Sequence, residues 1–112
     1  MNDNDIFSAI HDDTAELTFA TLADVCRRTR LAEPFIIECV EHGVAHVSGD
    51  ASTSWRFSVI SILRLQKAWR LHRDLELQVS SLPLVLDLLD ERDQLRQQLD
   101  ELRARLGHWE LR

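Results

Sequence analysis

Glycine is scarce in this chain. Three glycines in 112 residues are too few for a loop that cradles phosphate, and neither GxxxxGKS/T nor GxGxxG occurs. Cysteine is as sparse: Cys26 and Cys39 alone cannot make the multi-bridge framework of a small secreted domain. No apolar run approaches the roughly 18 residues that a membrane span requires. The opening Met1-Asn2-Asp3-Asn4-Asp5 lacks the basic start and apolar stretch of a secretory signal. These absences predict a cytoplasmic protein with no membrane association. Positive charge is also in deficit, with 13 Lys and Arg against 19 Asp and Glu for a net charge of −6. That balance argues against a free-standing nucleic-acid binder, although a locally basic face remains compatible with it. No Ser-His-acid set, activated thiol environment or framed carboxylate pair stands out, so neither an enzyme nor a cofactor is expected.

What is present suffices for one domain. Hydrophobic residues make up 45% of the chain, enough for a core but a modest one at this length, which favours extra burial by self-association. Residues 1–24 carry six acids and no Lys or Arg, equal to the whole net charge, and the remainder is nearly neutral. The expected organisation is an acidic flexible tail over 1–14, with docking as the alternative reading of that tail, then a domain over 15–80 and a helix over 81–112.

Leu17-Thr18-Phe19 alternates as an edge strand does. Thr21 is placed to cap a helix carrying Leu22, Val25 and Cys26, with Asp24 at its third position and Arg27, Arg28 and Arg30 near its end. Glu33-Pro34 opens a second short helix with Ile36, Ile37 and Val40 inward, stopped by Gly43. Two short helices with a brief connection make a helix-turn-helix. Ala45-His46-Val47 and Trp55-Arg56-Phe57 flank a polar stretch and predict a hairpin, or wing. Ser58 caps a third helix reaching about Asp74, with Val59, Ile60, Ile62, Leu63 and Trp69 on its apolar face. Leu75, Leu77 and Val79 then anchor a connection.

Ser81 as cap and Pro83 in the first turn open a terminal helix. Its Leu88, Leu95, Leu99, Leu102, Leu106 and Trp109 follow a heptad alternation, interrupted by Arg92 at an a position. From Glu91 onward the strongly apolar residues all lie on that narrow stripe, which calls for a partner helix. The stripe is the expected dimerisation surface of a homodimer.

Strand, helix-turn-helix, wing, third helix and long terminal helix, in that order, resemble the MerR-like winged-helix architecture. The Gly43-Val44 stop and the Trp55-Arg56-Phe57 wing strand fall where that architecture has its own glycine and aromatic-arginine wing. Leu17-Thr18-Phe19 leading to Val25-Cys26, the pattern Trp55-x-Phe57, Leu65 through Leu77 with its Arg70-Leu71-His72-Arg73-Asp74-Leu75 core, Pro83 and Leu95-Arg96-Gln97-Gln98-Leu99 carry a closer likeness to the CbpM family of chaperone modulators, over roughly residues 17–109. The resemblance implies a mainly α fold: a MerR-like winged helix-turn-helix with a short β-hairpin wing and a long C-terminal dimerisation helix. It also implies a non-enzymatic regulator that binds the J-domain of a CbpA/DnaJ-like co-chaperone and restrains its work with DnaK.

The alternative is a MerR-like DNA-binding transcription regulator. A recognition helix normally offers Arg, Lys, Asn or Gln to base edges. Here it offers Glu33, Glu38, Glu41 and His42, so protein is expected as partner rather than DNA. Glu38 and Glu41, with Trp55 and Arg56 on the wing, are the expected partner-binding residues. Arg64, Lys67, Arg70 and Arg73 recur every three residues as a solvated basic face, neutralised by the acidic head or by the terminal helix. Cys26, Cys39, His42 and His46 have loose spacing for a metal, so no metal site is expected and the cysteines are assigned to the core.

Overall fold

The structure, a computed structural model, describes residues 19–110, with side chains described as far as Gly107. Leu17 and Thr18 of the expected strand, and the acidic segment 1–14, lie outside the described residues. The elements are β1 (Phe19–Ala20), α1 (Leu22–Thr29), α2 (Glu33–Glu41), β2 (Val47–Ser48), β3 (Arg56–Ser58), α3 (Val59–Leu75) and α4 (Leu82–Glu110).

Local chemistry sets most boundaries. The Thr21 hydroxyl accepts from the Asp24 N–H at 3.1 Å, and the Asp24 carboxylate accepts from the Thr21 N–H at 3.2 Å. This capping box satisfies two donors that α1 would otherwise leave open. Burial works against the Asp24 charge, but hydrogen bonding to Thr21 and the nearby Arg27 and Arg28 outweigh it and hold its carboxyl below the usual carboxylate range. Pro34 sits in the first turn of α2, where its missing N–H costs nothing.

At the other end of α2 the Gly43 N–H bonds the Val40 carbonyl and the Val44 N–H bonds the Cys39 carbonyl, the paired pattern of a Schellman stop. It requires a left-handed residue, and Gly43 has φ +79°. A Cβ there would meet nothing within 4 Å, so the penalty for Gly43→Ala is purely one of backbone. Urea unfolding of that variant will show a loss of about 1–2 kcal/mol. Gly107→Ala, in the last turn of α4 with equally open space, will show a smaller effect of opposite sign, a gain below about 1 kcal/mol.

The three strands form one antiparallel sheet in the order β1-β3-β2. Phe57 on the central strand is paired with Ala20 on one side and Val47 on the other, and it is fully buried. It shares one core cluster with Leu22 and Val25 of α1, Phe35, Ile36 and Cys39 of α2, Ile62, Leu65 and Ala68 of α3, and Leu82 and Leu86 of α4. Trp69 meets Phe35 edge-on at 5.2 Å, so Phe57 and Trp69 serve the core.

Three expectations need correction. Ile60 and Leu63 are 77% and 38% exposed. The inward arc of α3 runs through Ile62, Leu65 and Ala68 at three-residue spacing, and Ile60 lies roughly 160° of helical arc from Ile62. Leu75 ends α3 and is 62% exposed; Val79 is the buried anchor and Leu77 a half-buried one. Ser81 lies within a 3-10 turn, Val79–Ser81, that leads straight into α4, so the chain already turns helically before Leu82.

Two residues of the basic face of α3, Arg64 and Lys67, are neutralised by the terminal helix, whereas Arg73 pairs with Asp74 of its own helix at 2.8 Å. Arg64 reaches Asp87 at 2.9 Å and Asp90 at 3.2 Å, and Lys67 lies 3.6 Å from Asp90. The Arg64 Nε–H also donates to the Val44 carbonyl. One guanidinium therefore ties the stop of α2 to the first turns of α4.

Candidate partner-binding surface

The helix in the recognition position is acidic. Glu33–Glu41 contains three glutamates and no Lys or Arg. Phe35, Ile36 and Cys39 face the core while Glu33, Glu38 and Glu41 are exposed, with His42 beyond them. Burial, with Glu38 adjoining, pushes the Cys39 thiol up to about 12, and burial first, then Glu33, raises that of Cys26. Both cysteines therefore stay neutral thiols. Among the described residues no group of three or more His, Cys, Asp or Glu is gathered so as to hold a metal.

Glu38 and the wing lie in different surroundings. Glu38 and His42 share a cleft of about 350 Å³ with His72, Gln78, Val79 and Ser80. There the His72 Nδ1–H donates to the Leu77 carbonyl at 2.6 Å, and its ring packs against Phe35 and Trp69. Ser52 and Thr53 of the wing tip instead share a cleft with Thr21, Leu22, Ala23 and Glu33. Glu33 is thus the recognition-helix acid in the wing's neighbourhood, and Glu38 belongs with the α3–α4 connection. Trp55 is half-buried, its ring edge-on to Phe57 at 6.2 Å. Arg56 is exposed, with its Nη1 donating to the Trp55 carbonyl at 3.1 Å. Sequence reasoning did not assign His72 and Gln78 to this surface, because only the return of the connection beneath α2 brings them there.

The terminal helix has two faces. Leu82 and Leu86 are buried, with Val85 and Leu89 half-buried beside them, over its first turns. Every residue from Glu91 to Leu106 is exposed. Leu88, Leu95, Leu99, Leu102 and Leu106 are 44–57% exposed, and Leu84 extends their stripe upstream at 65%. At roughly 100° per residue all six fall within about 60° of arc. Trp109 continues the backbone of α4, its side chain lying outside the described residues. No helix among the described residues is long and apolar enough to cross a membrane.

A small wing, two short helices, a buttressing third helix and a projecting fourth define a MerR-type winged helix whose reading helix carries carboxylates. The family described as MerR HTH family regulatory protein matches residues 20–104. Chaperone modulatory protein CbpM of Pseudomonas entomophila is 35% identical over 85 residues, covering 76% of this chain and 84% of that protein. Its counterpart in Pseudomonas putida is 36% identical over the same length and coverage. That of Coxiella burnetii is 34% identical over 79 residues, covering 70% and 74%. The chain belongs to the CbpM family of chaperone modulatory proteins.

Proposed function

We propose that this protein is a non-enzymatic, cytoplasmic modulator that binds the J-domain of a CbpA/DnaJ-like co-chaperone and so restrains its work with DnaK. The observation that carries the reading is the exposed, cation-free face of α2. A J-domain displays a basic helix to its chaperone, and carboxylates on a rigid helix complement it in charge. Such complementarity sets on-rate and partner choice. Glu38 and Glu41 form the centre of the contact with the basic helix, and Trp55 and Arg56, in the different surroundings of the wing, would serve as a second point of contact. The same carboxylates would repel DNA phosphates, which disfavours the transcription-regulator reading.

Homodimerisation through the stripe of α4 belongs to this reading. In a parallel pair Arg92 would meet its own copy across the seam. An antiparallel pair with Leu88 opposite Leu106 of the partner subunit sets Arg92 against Leu102 of the partner subunit, and Glu91 near Arg105 of the partner subunit. Removal of Arg92 from its own copy favours that orientation.

Titration against a CbpA-type J-domain tests the function. Saturable binding at micromolar concentration that weakens with added salt is expected, and the double variant Glu38→Lys/Glu41→Lys should lose affinity by roughly tenfold or more. Absence of binding by the native protein would sink the proposal, and unchanged affinity in the variant would move the contact off α2. Retardation of duplex DNA, steeply lost with salt, would favour the transcription-regulator reading.

A further inference from the structure

Two helices end at one cleft. Glu38 lies in the last turn of α2 and His42 at its cap, while His72 lies in the last turn of α3. Together with Gln78, Val79 and Ser80 of the following connection they line a space of about 350 Å³. That is the small end of the range for ligand clefts, room for one long side chain rather than for a helix.

We propose that this cleft receives one basic side chain of a protein partner, an arginine in preference to a lysine. Charge calls for a cation. Glu38 is the one carboxylate among the six lining residues, which include no Lys or Arg. Helix C-termini carry partial negative charge and favour cations. The last turn of α2 has no base of its own to answer that charge, and Arg73 in the last turn of α3 is engaged by Asp74 at 2.8 Å. An anionic guest would meet a carboxylate and two helix ends of its own sign.

The acceptors call for a fork of donors. A carbonyl oxygen can only accept, so the 2.6 Å contact between His72 Nδ1 and the Leu77 carbonyl keeps a proton on Nδ1 and leaves Nε2 of the neutral ring as an acceptor. Phe35 and Trp69 hold that ring, with centroids at 5.4 and 5.8 Å. Ser80 Oγ lies 3.5 Å from Gln78 Oε1, which gathers two more oxygens on the connection. Acceptors on α2, α3 and the connection therefore line one space, and the five N–H donors of a planar guanidinium answer such a set better than a compact ammonium does. Val79, buried beneath the surface, gives the methylene stem an apolar wall. This seat rests on the reading of α2 as the partner-binding helix, and it adds where the partner's cation is held.

NMR titration of the full-length protein with Nα-acetylarginine methylamide tests the seat without any partner. Saturable shifts of the His42 and His72 ring signals at millimolar concentration are expected. They should be absent with Nα-acetylnorvaline methylamide, which keeps the stem and lacks the guanidinium, and absent in Gln78→Lys. Gln78 is exposed and outside the core, so that variant should keep its helical circular dichroism. Against a CbpA-type J-domain, Gln78→Lys should lose affinity by roughly tenfold. Glu41→Gln, a charge change on the same helix outside the cleft, should lose about threefold or less. Shifts by the arginine probe with no J-domain binding by the native protein would uphold the seat and sink the J-domain reading. No shift of the two histidine rings, shifts that persist in Gln78→Lys, or J-domain affinity unchanged in that variant would overturn the seat.

Discussion

Leu95→Asp combined with Leu99→Asp will abolish the dimer proposed here, and sedimentation equilibrium will find a monomer at every accessible concentration. The two leucines are 57% and 44% exposed in the single chain and stand at the centre of the stripe. In the antiparallel register each meets the other across the seam, so the double variant removes four leucines and sets four carboxylates against one another. Burying a leucine is worth about 1.5–3 kcal/mol, and each tenfold change in affinity requires about 1.4 kcal/mol. The pair of substitutions therefore weakens association by at least about 10⁴-fold on burial alone. The winged-helix head should survive, because neither leucine joins the core. Leu75→Asp is the control: it places a charge on an equally exposed leucine away from the stripe and should leave the mass unchanged. A double variant that sediments like the native protein would remove α4 as the dimer seam.

Phe57→Ala will produce the largest loss of stability in the head. Phe57 is the pivot of the sheet, paired to both neighbouring strands and fully buried in one cluster with Leu22, Ile36 and Leu65. Truncating a buried phenylalanine costs about 3–5 kcal/mol, a large share of the roughly 5–15 kcal/mol that holds a domain together. At about 4–8 °C per kcal/mol for a domain of this size, the melting temperature should fall by at least about 12 °C. Phe57→Leu, which keeps most of the volume, should lose well under half as much. A loss below about 1 kcal/mol for the alanine variant would contradict the central position assigned to Phe57.

Much of the fold was readable because its signals are local. Thr21 with Asp24 three residues on, Pro34 in a first turn, Gly43 past a helix end and Ser58 before an apolar run each act within one turn of chain. The hairpin followed from two short apolar stretches around a polar tip, and the stripe of α4 from a heptad period that needs no tertiary knowledge. The acid character of α2 was equally plain, since a glutamate at Glu38 or Glu41 remains a glutamate wherever the helix docks.

The inward arc of α3 was not readable in the same way. Val59, Ile60, Ile62, Leu63 and Leu65 are all apolar, so periodicity left two arcs open, and burial in the cluster that holds Phe57 and Leu86 selected the one through Ile62 and Leu65. Nor did the chain order reveal that Glu38 lies by His72 and Gln78 while the wing tip lies by Glu33. The partners of the Arg64 guanidinium, Val44 on one side and Asp87 and Asp90 on the other, are 20 to 26 residues away.

By itself, then, the sequence determined the helices and the wing, the caps at Thr21 and Ser58, the stop at Gly43, the carboxylates of the recognition helix and the leucine stripe. All of these depend on residue type and on spacing of less than two turns. Only the tertiary structure decided which apolar face of α3 is core and which is surface, where each acid has its neighbours, and how α4 is bolted to the head. Those outcomes rest on contacts between distant parts of the chain, and burial is settled by the competition among all apolar faces for one small core.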